Sequence, residues 1–249
     1  MVISSSSVVA HLDAVRKTYG DDHSPPVLGG ISLSAVAGEL TAILGPSASG
    51  KSTLLKVLGG LDTAIQGHAY LGGVEITGMD EEEVGPLRLR DVGFVWPLDL
   101  IPTLDVISNL RLPLAWGGQL TQMARNVRAD DLIASFGLQE HRLLYPHQLS
   151  AGEERRVSIA RALASDPRLV LVDDPTDGLD ACSTGEVLAL LRASTREFGP
   201  SIFMGTRDVF AASQADRVLF LQDGVVVRDE RGLPVEEVTR AMLEIEEAV

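Results

Sequence analysis

The chain has 249 residues, 45% of them apolar and 22% charged, and 35 acids against 21 bases leave a formal charge of −14. That length and apolar content suit one large domain with a substantial core, while the acidic balance argues against nucleic acid as a partner, because a phosphate backbone is gripped by basic surface. Cys182 is the sole cysteine, so neither a disulfide framework nor a cysteine zinc cluster is possible, and a reducing compartment is the simplest setting.

Taken from the N-terminus, residues 1–7 read as a flexible tail whose serine run, Ser4 to Ser7, lacks the basic and apolar regions of a signal peptide. No stretch approaches the roughly 18 consecutive apolar residues needed to span a bilayer. Between Val8 and Leu33 apolar residues alternate around Tyr19-Gly20-Asp21-Asp22 and Ser24-Pro25-Pro26, which predicts short antiparallel strands. Leu40 to Leu44 is a short apolar run expected to be a buried strand, and Ser52 to Leu58 has the apolar spacing of a helix.

Between that strand and helix lie Gly45, Pro46, Ser47, Ala48, Ser49, Gly50, Lys51, Ser52 and Thr53. The glycine spacing followed by Lys-Ser is a phosphate-loop pattern in the strand, loop, helix context that it requires. Backbone N–H groups of such a loop and the start of the helix face phosphate oxygens, Lys51 reaches the β and γ positions, and Ser52 is placed to hold Mg2+. A glycine-rich turn with a chance lysine would not come with both flanking elements in register.

Residues 67–77 read as a further hairpin, and 104–165 carry mostly helical patterns broken at Pro113, Gly117-Gly118, Gly137 and Pro146. Inside that helical stretch stands Leu149-Ser150-Ala151-Gly152-Glu153. Ser150 and Gly152 are expected at a helix N-terminus, where a hydroxyl and free N–H groups can grip an anion. Leu169 to Val172, Ser201 to Gly205 and Val218 to Leu221 are apolar runs separated by helices, as in a parallel sheet. The run ending in Asp173 presents a carboxylate at a strand end, the position from which Mg2+ is oriented through water. The tail from Val235 to Val249 has helical apolar spacing and five glutamates, and is expected to be a solvated terminal helix.

Lys51 and Asp173 are separated by far more chain than in compact small GTPases, and no Asn-Lys-x-Asp guanine-reading element is present. Together with Leu149-Ser150-Ala151-Gly152-Glu153 and the Arg155-Arg156-Val157-Ser158-Ile159-Ala160-Arg161 helix, the ordered set resembles an ATP-binding cassette: phosphate loop, signature, then the Mg2+ aspartate. The resemblance covers Val8 to about Arg228 and is nearest to the lipoprotein-releasing, macrolide-exporting and cell-division ATPases, through Gly59-Gly60-Leu61-Asp62, Gly93-Phe94-Val95, Leu100-Ile101-Pro102-Thr103-Leu104 and Pro175-Thr176-Asp177-Gly178-Leu179-Asp180. It implies an α/β fold with a RecA-like phosphate-loop NTPase core, an N-terminal antiparallel β subdomain, and a helical subdomain inserted at about 98–165. The cassette would occupy 8–230 and a C-terminal helix 231–249. It also implies ATP and Mg2+ as cofactors, adenine stacked on Tyr19, and Leu179-Asp180 as a loop communicating between subunits.

Three positions depart from the pattern that the resemblance implies. Where a glutamine should follow the Phe-Val-aromatic strand, Phe94-Val95-Trp96 runs into Pro97-Leu98-Asp99, and the nearest glutamines are Gln66 and Gln119. Asp174 occupies the place of the catalytic glutamate, one methylene shorter. Arg207 replaces the histidine after the Ser201 to Thr206 strand, and all five histidines lie earlier in the chain. Arginine can bind a γ-phosphate by charge but cannot accept a hydrogen bond as neutral histidine does.

The resemblance also implies two ATP molecules buried between two chains, each phosphate loop facing the other chain's signature. The departures therefore imply a site on Gly45 to Thr53 that binds MgATP and hydrolyses it poorly, while Ser150, Ala151, Gly152 and Glu153 complete, in trans, the site of a second, intact ATPase chain. A heterodimer is expected over a homodimer, docked on transmembrane permease subunits at the cytoplasmic face of the cell membrane. Permease contact is expected between Pro97 and Trp116, with Trp96, Leu98, Leu100 and Trp116 as apolar anchors. The alternative reading is a nucleotide-binding regulatory or scaffold subunit that never hydrolyses. A soluble phosphate-loop kinase leaves the Leu149 to Glu153 element unexplained.

Overall fold

The computed structural model describes residues 8–20, 24–97, 100–116 and 121–247. The expected tail 1–7, the Gly117-Gly118 break, Gln119 and the anchor Leu98 lie outside the described residues.

Strand β1 (Val8–Lys17) pairs antiparallel with β2 (Leu28–Val36), and the chain then enters β3 (Leu40–Leu44), whose five side chains are all buried. After the phosphate loop, α1 (Lys51–Leu58) leads to β4 (Gln66–Leu71), which pairs antiparallel with β1 and with the short β5 (Val74–Glu75). These strands form a sheet of order β2-β1-β4-β5. Helix α2 (Glu81–Asp91) follows, opened by a capping box in which Asp80 accepts the Glu83 N–H and Glu83 accepts the Asp80 N–H. Strand β6 (Val92–Val95) leads to helices α3 (Val106–Trp116), α4 (Gln122–Ser135) and α5 (Ala151–Ala162).

The chain returns through β7 (Leu169–Asp173), α6 (Ala181–Glu197), β8 (Ser201–Thr206), α7 (Val209–Ser213), β9 (Arg217–Gln222), β10 (Val225–Arg231) and α8 (Val235–Glu247). The second sheet has the order β10-β9-β3-β8-β7-β6; β6, β7, β8, β3 and β9 run parallel, and β10 closes the edge antiparallel to β9. Parallel strands covered on both faces read as continuous apolar runs, and β3, β7, β8 and β9 do so.

Two cores flank this sheet. One packs α1 between the two sheets, with Leu54, Leu55 and Leu58 against Leu12, Val15, Leu171 and Phe203. The other lies under α3, α4, α5, α6 and α8 on the opposite face. The parallel strands consequently end together, and in such sheets ligands bind beyond the carboxyl ends of the strands.

Two expectations are corrected. Helix α8 is not simply a solvated terminal helix: Val238 and Ala241 are buried, and Leu233, Met242 and Ile245 pack on the core. Its apolar stripe is satisfied by docking, and it starts at Val235 because β10 still occupies Arg231. Leu100 is a core residue, 5% exposed, and so does not serve as a surface anchor. Trp96 is partly buried and stacks on Phe94 with ring centroids 5.7 Å apart, whereas Trp116 is exposed. Among the described residues no helix is long and apolar enough to cross a membrane.

Candidate functional site

The phosphate loop leaves β3 at Gly45 because nothing larger fits there. A Cβ at Gly45 would stand 2.1 Å from the Leu221 carbonyl oxygen of neighbouring β9 and 2.8 Å from the Ser49 hydroxyl. At the other end Gly50 adopts φ +104°, and a Cβ there would meet the Val27 carbonyl oxygen at 2.8 Å. Left-handed backbone is glycine territory. Gly224, in the turn between β9 and β10, supports the loop from beneath by donating its N–H to the Ser49 carbonyl at 3.0 Å. Gly45→Ala is therefore expected to lower the unfolding midpoint and ATP affinity together, measured by thermal unfolding and calorimetric titration, since the loop and β9 must separate to admit the methyl group.

Helix α1 begins without a side-chain cap, so no side chain competes for its first-turn N–H groups, the donors that an anion would use. Lys51 is buried, and its Nζ donates to the carbonyls of Gly45 at 2.9 Å and Pro46 at 2.7 Å. Burial pulls its ammonium below the ordinary lysine value, against the opposing charges of Asp174 and Asp173. Ser52 Oγ donates to Asp173 Oδ2 at 2.7 Å, across the gap between α1 and the end of β7. Asp173 Oδ1 and Ser49 Oγ are buried with no hydrogen-bond partner.

These groups fit a Mg2+-bound triphosphate. Among the described residues no group of three or more His, Cys, Asp or Glu side chains is arranged to hold a metal ion by itself. Magnesium typically takes one or two protein oxygens and completes its octahedron with phosphate and water. The Ser52 hydroxyl and the Asp173 carboxylate are such a pair, with an unclaimed carboxylate oxygen beside them.

Asp174 follows in a left-handed conformation, φ +44°, and its N–H donates to the Gly205 carbonyl of β8 at 2.9 Å. Burial first, then the charge of Asp173, pushes its carboxyl above the usual aspartate range, opposed by Lys51 and Arg207. Arg207 extends from the end of β8 toward the same place, with Nη1 3.4 Å from Ser47 Oγ and Nη2 3.6 Å from Asp177 Oδ1.

A cavity of about 440 Å³ is lined by Tyr19, Val27, Ser47, Ala48, Gly50, Lys51, Ser52, Thr53, Asp174 and Arg207. The fold thus gathers the phosphate loop, Asp174, the arginine and the aromatic residue at one opening, with Asp173 reaching it through Ser52. Ser150, Ala151, Gly152 and Glu153 do not line it. They form the start of α5, where Ser150 Oγ accepts the Glu153 N–H at 3.3 Å and Glu153 Oε2 accepts the Ser150 N–H at 2.8 Å. Glu153 Oε1 also lies 2.8 Å from His141 Nε2. The N–H and hydroxyl of Ser150, then His141, hold the Glu153 carboxyl below the usual glutamate range.

The ABC transporter family model matches residues 28–177, well over half of the chain, including the phosphate loop, Leu149 to Glu153 and both strand-end aspartates. The chain belongs to the ABC transporter family. The cassette is 40% identical over 220 residues to the macrolide export ATP-binding/permease protein MacB of Shigella flexneri, covering 88% of this chain and 34% of that one. It is 38% identical over 223 residues to MacB of Rhodopirellula baltica, with 88% and 33% coverage. The chain therefore spans about a third of the length of the curated relatives it matches.

Among solved structures the cassette is similar to MJ0796, a dimeric ATP-binding cassette in a post-hydrolysis state with ADP and Pi, at TM-score 0.81 and 34% identity over 90% of this chain and 99% of that one. The fold is also shared with CbiO1 of Clostridium perfringens, at TM-score 0.82 and 24% identity over 97% and 94%. The macrolide-exporting resemblance of the motifs and the RecA-like core with its antiparallel β layer agree with these relatives.

Sequence reasoning passed over three residues that contact side chains of the site without lining its cavity. Gly205 leaves room for Asp173, whose Oδ1 would lie 3.1 Å from a Cβ at 205; a glycine inside an apolar strand is the available signal for such an approach. Asp177 pairs with Arg207, and Asp62 accepts the Tyr19 hydroxyl at 2.8 Å. Neither pairing has a local signature, because the partners are far apart in the chain.

Proposed function

We propose that the cassette is the ATP-binding subunit of a membrane transporter whose own site holds MgATP and cuts it slowly, and whose Ser150 to Glu153 segment completes the site of a different, intact ATPase chain. One observation carries this reading: the phosphate loop, Tyr19, Asp174 and Arg207 meet around a single cavity with Asp173 bonded to Ser52 beside it, while Asp174, Arg207 and the Pro97 that follows β6 stand where the family pattern has other side chains for hydrolysis.

The geometry supports the following roles. Tyr19 offers a ring to the base, and the Lys51 ammonium exchanges its loop carbonyls for β and γ oxygens, a charge-assisted and therefore stronger pairing. Ser52 and Asp173 would hold Mg2+, which would supply neutralisation of phosphate charge. Asp174 is the carboxylate nearest the position of an attacking water, but its shorter side chain and left-handed backbone hold it back. Arg207 clamps the γ end by charge without accepting a proton from water.

For the site in trans, Ser150 accepts the Glu153 N–H and keeps its own hydroxyl proton to donate to a partner's phosphate. The α5 terminus adds its partial positive charge there. Docking on a permease is supported by an apolar groove of about 440 Å³ between α2, β6 and α3, lined by Leu89, Phe94, Leu112, Pro113 and the exposed Trp116. It lies beside the predicted Pro97 to Trp116 contact region. Through such a permease the cassette would sit at the cytoplasmic face of the membrane.

Native mass measurement on the complex isolated from membranes through a tag on this chain tests the assignment. The expected result is one copy of this chain with one copy of another cassette and a permease; a homodimer alone overturns it. In that complex Ser150→Ala is expected to lower the ATPase rate about tenfold or more, the loss of one hydrogen bond to a charged group. The non-hydrolysing regulatory reading predicts no turnover before or after the substitution.

A further inference from the structure

We infer that Asp62 is a positioning residue for nucleotide recognition, tethering the Tyr19 ring at the mouth of the phosphate-loop cavity through a clamp that it shares with Lys17. The inference rests on the nucleotide reading above and concerns how the base, not the phosphates, is held.

Tyr19 lies just past the end of β1 and is 47% exposed, so packing alone does not fix its ring. Its position comes from polar contacts to the loop after α1. The Tyr19 hydroxyl donates to Asp62 Oδ2 at 2.8 Å, and Lys17 Nζ donates to Asp62 Oδ1 at 2.6 Å and to the Ala64 carbonyl at 2.8 Å. One carboxylate thereby holds both the phenol and the ammonium. Lys17 and Asp62 are largely buried, and a buried charge pair with its partners satisfied is geometrically restrictive.

The same ammonium lies 4.8 Å from the centroid of the Tyr19 ring, within cation–π range. One face of the ring is thus taken by Lys17, and Tyr19 with Val27 lines the cavity. A ring gripped at its hydroxyl and covered on one face leaves the other for a planar base. Burial and the Asp62 carboxylate raise the phenol above its ordinary value, so it remains a donor. Asp62 itself does not line the cavity, and its effect passes through Tyr19.

Calorimetric titration of the full chain with MgATP and, separately, with magnesium tripolyphosphate tests the clamp, because tripolyphosphate engages the loop and has no base. Base–aromatic stacking is worth on the order of tenfold in affinity by alanine substitution. Tyr19→Ala should weaken ATP by about that factor and leave tripolyphosphate within about twofold. Asp62→Ala should reproduce most of that selective loss, and Tyr19→Phe, which keeps the ring and removes only the tether at a half-exposed position, should lose about threefold for ATP alone.

An unchanged ATP affinity in both Tyr19→Phe and Asp62→Ala overturns the inference, as does an equal loss for ATP and tripolyphosphate, which would mean that Asp62 merely supports α1. Wild-type protein that binds tripolyphosphate and ATP equally overturns base recognition by Tyr19 and leaves the phosphate reading standing. Failure to bind either ligand overturns both.

Discussion

Asp174→Glu is expected to raise single-turnover ATP hydrolysis by the purified chain on the order of 10²-fold, because a water-positioning carboxylate displaced by about 1 Å forfeits a factor of that size. The replacement adds one methylene at the residue between Asp173 and the γ end of the cavity, where Lys51 and Arg207 already face it. Arg207→His in the same chain should add to the gain, since neutral imidazole can accept the hydrogen bond that guanidinium cannot. The gain has a cost in stability. Asp174 sits at φ +44°, a conformation that aspartate tolerates through its short polar side chain and longer residues resist by about 1–2 kcal/mol. The melting point should fall by roughly 2–4 °C for each kcal/mol in a protein of this size. Rapid-quench product assays and thermal unfolding measure the two effects side by side. Wild-type turnover already within the ordinary enzymatic range of about 1 to 10³ per second, or an Asp174→Glu rate within twofold of wild type, would show that this position does not limit hydrolysis.

Lys51→Ala is expected to raise the dissociation constant for MgATP by about 10²-fold, the upper end of what one hydrogen bond to a charged group contributes. Two effects add. The phosphates lose the one ammonium that lines the cavity among the described residues, and Asp173 and Asp174 lose a cation that offsets them. Asp174, already raised by burial and by Asp173, should move further up, since like charges disfavour ionisation. Titration calorimetry with ATP and with tripolyphosphate should show the same loss for both ligands, in contrast to the selective loss expected at Tyr19. A change below about threefold would mean that the loop backbone alone carries the phosphate affinity.

Much of the site was legible because its signals are local. The glycine spacing from Gly45 to Gly50 and the apolar runs of β3 and β7 depend on near neighbours in the chain, as does the serine cap at Ser150, and each is visible without the rest of the molecule. Other elements carry local signals of a less conspicuous kind. Asp223-Gly224 is a two-residue hairpin turn with both φ values positive, which is the mark of an antiparallel return, and β10 follows it. Asp80 and Glu83 form a capping box that opens α2, although Pro86 and the charges that follow hide its apolar periodicity. The apolar spacing of α8 is plain in the sequence, but amphipathicity says only that a face is apolar, not what it meets; here that face meets the core.

The resemblance to the family and the phosphate-loop pattern were legible in residue order alone, because phosphate recognition uses backbone N–H groups and a lysine presented by one contiguous segment. The three altered positions were visible in the same way. What tertiary structure decided is everything that depends on distant segments meeting. It put Ser52 against Asp173, Arg207 beside Asp177 and Ser47, and Tyr19 on Asp62; it also turned Leu100 inward and docked α8. A parallel sheet orders its strands as β9-β3-β8-β7, different from their order in the chain. Contacts at the strand ends follow from that crossover topology, which no local spacing encodes.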